Sequence, residues 1–433
     1  MSRQNTASNN KPMNEETSVV ALRERPHSVK QVLCMMQSMD DLNITKSDLD
    51  VDELLQIAFK RTGVAKLGAA SRIHFDGWKR LATAVCRDPS YDQVGIRAAR
   101  RVIYEWILKY LHFERDLAVR PQIAHVPVSN PVFVIAGGRT GSTFLYHLLA
   151  LDPRSRSPRF WELRSPSPPP RPETYETDTR IAEARSWVDL SAKISPSFAK
   201  VHEFDATAPE ECIAMMQHGI HHLSTGLRAP GYWEWLRELS APDLAILYGH
   251  YRLQVQHLQL HFQDRRWTSK TMAHALFFPV LFQVFPDARV IRLHRDPCQI
   301  VPAQASLAAH MRIIYTERVD FVELGQLMLE FFVDAMHRSI EVEKTVGAEH
   351  FIDIMFDDLV GDPIRTIQNI YEKFGFGYTG EFDTAIRRHL AAESPTRKYK
   401  HVYSMEQFGL SRQQILNRSA EYLSWLEERV GSL

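Results

Sequence analysis

Residues Pro131 to Leu149, PVFVIAGGRTGSTFLYHLL, constrain the fold more than any other stretch, because they read as strand, tight turn and helix in immediate succession. Val132 to Ile135 is a β-branched and aromatic run bounded by Pro131 on one side and by Gly137 and Gly138 on the other. Gly137, Gly138 and Gly141 allow the backbone to turn so that successive amides point at one anion, at the positive end of the following helix. The loop adds the Arg139 guanidinium and the hydroxyls of Thr140, Ser142 and Thr143. Ser142 stands where an ATPase loop carries its lysine, so the site is a phosphate cradle of a different kind.

Three more strand-like runs, Arg266 to Lys270, Ala288 to Leu293 and Phe351 to Phe356, alternate with helical patterns at Glu210 to Leu223, Leu244 to Phe262 and Phe321 to Val342. That alternation predicts an α/β protein whose core is a mostly parallel sheet flanked by helices on both faces, in three layers. Apolar residues at helical spacing from about Val29 to His112, in Val51 to Lys60, Gly77 to Val85 and Val94 to Leu111, predict a helical N-terminal subdomain. The expected divisions are a disordered polar tail over 1–25, the helical subdomain over 26–125 and the anion-binding domain over 126–433. The segment SPSPPPRP, Ser165 to Pro172, must run extended along the surface, with a PxxP ligand for a partner domain as its alternative role.

At 433 residues, 44% of them hydrophobic, the chain can bury a large core. Its 52 basic residues balance its 52 acidic ones, so no global field attracts nucleic acid and anion binding must be local. Cys34, Cys86, Cys212 and Cys298 lie too far apart to pair as metal ligands, which predicts reduced thiols, a cytoplasmic location and no catalytic metal. The N-terminus lacks the apolar core of a signal peptide, and the longest apolar run, Ala273 to Phe285, is interrupted by His274, Pro279 and Gln283. No integral membrane segment is expected.

A second anion site is readable in Ala288 to Leu307, where a strand ends in Arg295 and Asp296, Pro297 opens a helix, and Ser306 follows on it. A guanidinium and a hydroxyl so placed suit a terminal phosphate monoester. Together the two sites resemble those of the sulfotransferases that use 3′-phosphoadenosine 5′-phosphosulfate (PAPS). WEL at Trp161, PEEC at Pro209, FPDARVIRLHRDP from Phe285 and FDDLVGDP from Phe356 extend the resemblance from about Arg120 to the C-terminus. It is closest to bacterial-type sulfotransferases that share motifs with the tyrosylprotein sulfotransferases.

The resemblance implies a P-loop-like core that takes PAPS and releases PAP. Gly138, Arg139, Thr140, Gly141, Ser142 and Thr143 would hold the 5′-phosphosulfate, and Arg295 with Ser306 the 3′-phosphate. One departure is Ala303, which occupies the position the family fills with serine; Ser306, a turn later, is the expected substitute. Arg139 and Lys270 are the candidate clamp on the sulfuryl group in flight, and Lys398 and Lys400 belong to a basic segment expected to close over the nucleotide. Glu162, His202, and Glu210 or Glu211 are the candidate bases.

The aromatic and aliphatic content of Ser191 to Trp235 favours a small or lipophilic acceptor alcohol, with an amine less favoured. Two other functions stand as alternatives: a P-loop kinase or other nucleotide-dependent phosphotransferase, against which the missing loop lysine argues, and a catalytically silent PAP-binding module. Nothing in the pattern specifies an oligomer.

Overall fold

Strands β1 (Val132–Ala136), β2 (Ser155–Arg156), β3 (Arg266–Lys270), β4 (Arg289–His294) and β5 (Phe351–Met355) form one sheet of order β2-β3-β1-β4-β5, every pair parallel. This is a computed structural model that describes residues 23–26, 28–31, 33, 49–65, 68, 71–217, 226–392 and 403–430. The helices that matter for the site are α1 (Val51–Thr62), α2 (Arg72–Arg87), α3 (Gln93–Val119), α4 (Ser142–Leu149), α5 (Phe160–Arg164), α6 (Pro297–Arg312), α7 (Phe321–Val346) and α8 (Ala420–Val430).

Side chains alternate across each strand, so a sheet covered on both sides needs apolar residues at successive positions. Phe133, Ile135, Trp267, Val290 and Phe351 face one layer, packed with residues of α6, α7 and Ala241–Gln259. Val132, Val134, Ile291 and Leu293 face the other, against Leu145 and Leu148 of α4 and Ile367 and Phe382. The predicted three-layer α/β core is present. β3 has its predicted bounds, while β4 and β5 differ from prediction by a residue at one or both ends.

The edge strand β2 was invisible in the sequence because it is two residues long and polar. Its Arg156 is buried nonetheless, paired with Glu162. Of the helix expected over Glu210 to Leu223, Ile213–Gln217 is observed and 218–225 fall outside the described residues.

Helices α1 to α3 pack together through Leu54, Leu81, Ile103 and Ile107, but Leu227, Ala229 and Tyr232 complete that cluster. The N-terminal helices therefore share a core with a segment that lies between β2 and β3 in sequence. Helix α3 runs beyond the predicted end to Val119, where its buried Asp116 accepts from His257 at 2.9 Å. The proline-rich stretch is extended and held down, because Arg180 Nη1 donates to the carbonyls of Ser165 at 2.8 Å and Pro168 at 2.7 Å. Pro169 and Pro170 are buried, which turns them away from any partner domain. No helix among the described residues is long and apolar enough to cross a membrane.

A buried charge cluster fastens α8 to the sheet. Arg292 on β4 donates to both oxygens of Asp353 on β5, at 2.6 and 2.8 Å, and to Glu343 on α7 at 2.7 Å. Arg429 on α8 reaches the same Asp353 at 2.8 Å, and His294 pairs with it at 2.8 Å. Burial alone would raise the Asp353 carboxyl, but the His294 hydrogen bond and the Arg292 charge overcome it and hold the group well below the usual carboxylate range. Removing one member strands the others without compensation. Asp353→Ala should therefore cost about 3–5 kcal/mol of stability, read from urea unfolding midpoints, whereas a loss under about 1 kcal/mol would mean that water enters and solvates the cluster.

Candidate active site

The loop after β1 is shaped by contacts that leave no room for side chains. A Cβ on Gly137 would lie 2.5 Å from Ile300 Cγ2 of α6, and Gly141, at φ +79°, is left-handed. Arg139 also takes a left-handed conformation, φ +66°, which an L-residue adopts at a cost. Thr140 is fully buried, and its hydroxyl donates to the Gly137 carbonyl at 2.7 Å, so it staples the turn and is not presented to a ligand. Gly141 caps α4 with no side chain, leaving the amides of Ser142 and Thr143 at an open positive helix end. These amides, with the Arg139 guanidinium and the Ser142 and Thr143 hydroxyls, suit an anionic phosphosulfate.

Arg295 follows β4, and its Nη1 donates to the Arg139 carbonyl at 2.6 Å while its guanidinium lies 3.9 Å from the centre of the Phe356 ring. The two anion motifs are thus joined by one hydrogen bond. Asp296 is occupied elsewhere, capping α6 at the Cys298 amide (2.9 Å) and pairing with Arg412 at 3.5 Å. Ser306 is fully buried within α6; the α6 side chains beside Gly138 are Gln304 and Ala303, the Ala303 Cβ lying 4.0 Å from where a Gly138 Cβ would stand. Lys398 and Lys400 lie outside the described residues.

Lys270 ends β3, one strand over. Parallel register sets it beside Val134, and the Thr271 amide donates to the Val134 carbonyl at 3.1 Å. Its ammonium reaches Thr143 Oγ1 at 3.2 Å and Glu211 Oε1 at 2.7 Å. Glu210, adjacent in sequence, meets His202 Nε2 at 3.1 Å and accepts from the Glu211 amide at 2.7 Å. Three backbone bonds fix this segment: Glu210 N to Pro158 O at 3.0 Å and Phe160 N to Ala208 O at 3.0 Å, which form the antiparallel bridge of Arg159 to Pro209, and Cys212 N to Lys270 O at 3.2 Å.

The electrostatics follow from that crowding. Burial alone would raise the Glu210 carboxyl, but the His202 charge and hydrogen bond, with Lys270 behind them, pull it down to about 2. His202 would be lowered by burial, and Glu210 and Glu211 raise it instead. His147 on α4, which the sequence reading passed over, is lowered by burial and by the Lys270 charge. Beneath them, burial pushes the Cys212 thiol up to about 12 and His274 down to about 3, so this contacting pair is neutral and inert.

Glu162 is somewhere else. It is fully buried, both carboxylate oxygens pair with Arg156, and it accepts further from the Tyr175 hydroxyl at 2.6 Å and the Arg159 amide at 2.8 Å. The last of these bonds closes the first turn of α5. Both oxygens are engaged and the residue is fully buried, so the geometry gives Glu162 a positioning role for the 156–164 segment.

A cavity of about 490 Å³ opens beside His202, Glu210 and Glu211. Its walls are mainly apolar, with Trp106 of α3, Phe160, Trp187, Phe204, Met272 and Phe331 among them. Part of the Ser191 to Trp235 region does line it, as expected, but α3 and the second half of α6 contribute as much. Gln304 of α6 joins the two sites: it lines the cavity, and its Cγ lies 3.3 Å from where a Gly138 Cβ would stand. A lone glutamine in a helical pattern carries no sequence signal for such a place.

The sulfotransferase family profile matches residues 131–380. Among curated proteins, the omega-hydroxy-beta-dihydromenaquinone-9 sulfotransferases of Mycobacterium tuberculosis and Mycobacterium bovis are each 24% identical over 291 residues, covering 66% of this chain and 73% of theirs. Among solved structures, a sulfotransferase of Mycobacterium avium superposes with a TM-score of 0.78 at 24% identity, over 91% of this chain and all of that one. Another, from M. tuberculosis, gives 0.76 at 24% identity, over 87% of this chain. These likenesses show a shared fold.

The His202 and Glu210 pair carries a pH signature. Glu210, ordinarily near 4.5, is depressed, so its contribution to stability is present above about 4.5 and lost as pH falls through about 2. His202, ordinarily near 6.5, is raised, so its contribution is complete below 6.5 and lost as pH rises through the higher folded value. The Tm gap between the protein and Glu210→Gln should be widest between about pH 4.5 and 6.5 and narrow on both sides. A gap independent of pH would show that the two groups are not coupled.

Proposed function

Because the chain belongs to the sulfotransferase family and is a transferase, we propose that PAPS is its donor and an apolar alcohol its acceptor, with the sulfuryl group passing from one to the other beside Lys270. The observation that carries this reading is the Lys270 ammonium, which touches Thr143 of the phosphosulfate loop and Glu211 of the cavity wall at once. A sulfuryl group in flight must have the leaving phosphate on one side and the acceptor oxygen on the other. Loop and cavity supply those two sides. The kinase alternative has no support from the family match, and the lipophilic acceptor is supported by the apolar walls.

In this reading the amides of Ser142 and Thr143, Arg139 and Arg295 receive the nucleotide phosphates. Glu211 takes the proton from the acceptor hydroxyl, whose oxygen forms a bond to sulfur as the bond from sulfur to the phosphate oxygen of PAP breaks. Lys270 leaves Glu211 to follow the charge that develops on the departing oxygen. The His202 and Glu210 pair, already committed to each other, holds the 209–212 segment and its charge in place. His202 is the competing base, since its ring also lines the cavity. Neither Glu162 nor Ser306 enters, because both are fully buried.

Kinetics on variants separates these roles. Lys270→Ala should cut kcat on the order of 100- to 1000-fold with PAP affinity changed far less. Glu211→Gln should lose on the order of 100- to 10,000-fold and the acidic limb of the pH profile with it, while His202→Gln keeps that limb. The reverse pattern would transfer the role to His202. Calorimetry should show Arg295→Ala weakening PAP by roughly 1.5–3 kcal/mol more than it weakens adenosine 5′-phosphosulfate, which shares only the loop that Arg295 tethers; equal losses would remove Arg295 from the 3′-phosphate. Since protein cations and helix amides supply the charge stabilisation, transfer from PAPS should persist in excess EDTA, and a strict requirement for Mg²⁺ would overturn the assignment.

A further inference from the structure

The cavity wall holds a second polar feature, remote in sequence from the reacting groups. Lys109 on α3 lines it together with Glu105, one turn earlier, and Arg164 of α5. The Glu105 carboxylate is engaged by two guanidinia, Arg164 Nη1 at 3.3 Å and Arg101 Nε at 3.4 Å. Lys109 makes no hydrogen bond or ion pair among the described residues. It is half-buried and lines the cavity. Burial and the Arg164 charge pull its ammonium down to about 8 against the attraction of Glu105, so it is still mainly protonated at neutral pH.

An ammonium carries three donors, and setting it against apolar walls without an acceptor is costly. Glu105 already pairs with Arg164, and Lys109 adds a second positive charge beside the same carboxylate, so the Lys109 ammonium is available to a negative partner. The remaining walls offer Val102, Trp106 and Leu163, which suit hydrocarbon.

Resting on the proposed acceptor reading, we infer that Lys109 is a specificity-determining residue that binds an anionic oxygen, such as a carboxylate, on an acceptor whose hydroxyl lies at the Glu211 end and whose apolar body fills the space between. The favoured substrate class is therefore the amphiphilic hydroxy acid, over the plain fatty alcohol. Gain of a charge-assisted hydrogen bond in a partly desolvated site corresponds to a preference on the order of tenfold to a hundredfold.

The test uses the full-length enzyme with three matched acceptors: an omega-hydroxy fatty acid, its methyl ester and the fatty alcohol of equal length. The ratio of kcat/KM for the acid over the ester and the alcohol should reach that range, collapse toward one in Lys109→Met and survive largely in Lys109→Arg. A ratio near one in the unaltered protein, or one that survives Lys109→Met, overturns the inference. A binding arm works without chemistry: the simple fatty acid, lacking the hydroxyl, is titrated into the PAP-loaded proteins, and PAP binding itself verifies that each variant is folded. Affinity should fall tenfold or more in Lys109→Met, and equal affinity overturns the inference whatever the transfer assay shows. Strong, Lys109-dependent fatty-acid binding with no sulfation of any of the alcohols would instead leave Lys109 assigned and remove the acceptor reading.

Discussion

Everything at the site depends on one constraint, the parallel pairing of β1 between β3 and β4. Parallel strands place all their C-terminal ends on one edge, and where successive connections leave in opposite directions from a central strand a crevice opens. β1 is that strand. Its loop, the Lys270 end of β3 and the Arg295 end of β4 meet at the crevice with no further device needed to bring them together. Because the sheet is covered on both faces, polar groups inside it are expensive, and function collects at the strand ends.

The same burial makes the charges at the edge interdependent. Lys270 is buried, pairs with Glu211, and its charge helps to lower both His147 and Glu210. A lone carboxylate in such a place would be raised by desolvation. Glu210 is lowered instead, because His202 stands 3.1 Å away. The pairs thereby keep a cluster of ionised groups stable beside an apolar cavity, where a charge that moves during transfer is felt strongly. A transfer that shifts negative charge from an acceptor oxygen to a leaving phosphate needs such an environment, and Lys270, touching both compartments, can follow that shift.

What the sequence made legible was what depends on local pattern. The strand, turn and helix at Val132 to Leu149, the strand ending in Lys270 and the strand ending in Arg295 are each written in a few consecutive residues, and the structure places all three at one edge. Glu162 and Ser306 show where such reading stops. Motif position drew attention to Glu162, but its partner Arg156 sits on a two-residue strand that no pattern marks, and that ion pair decides its role. Ser306 follows Arg295 at a plausible helical interval, yet the rotation of α6 turns it into the core and turns Ala303 toward Gly138. The cavity was illegible for another reason, since its walls come from α3, from 160–214 and from α6, brought together only by the fold.

The hydrogen bond from Arg295 to the Arg139 carbonyl couples the end of β4 to the loop after β1. It needs a carbonyl pointing toward β4, and a left-handed Arg139 is what turns that carbonyl there. A residue held at φ +66° without glycine is strained, and such strain persists only where surrounding contacts over-determine it. Here the Thr140 staple on one side and Arg295 on the other do so. An anion arriving at the loop amides meets a guanidinium already tethered to the same turn, so little ordering remains to oppose binding. The chain thus accepts a local backbone cost to keep the loop after β1 and the Arg295 end of β4 in register, the two places proposed to receive the nucleotide phosphates, and the parallel sheet beneath holds that register.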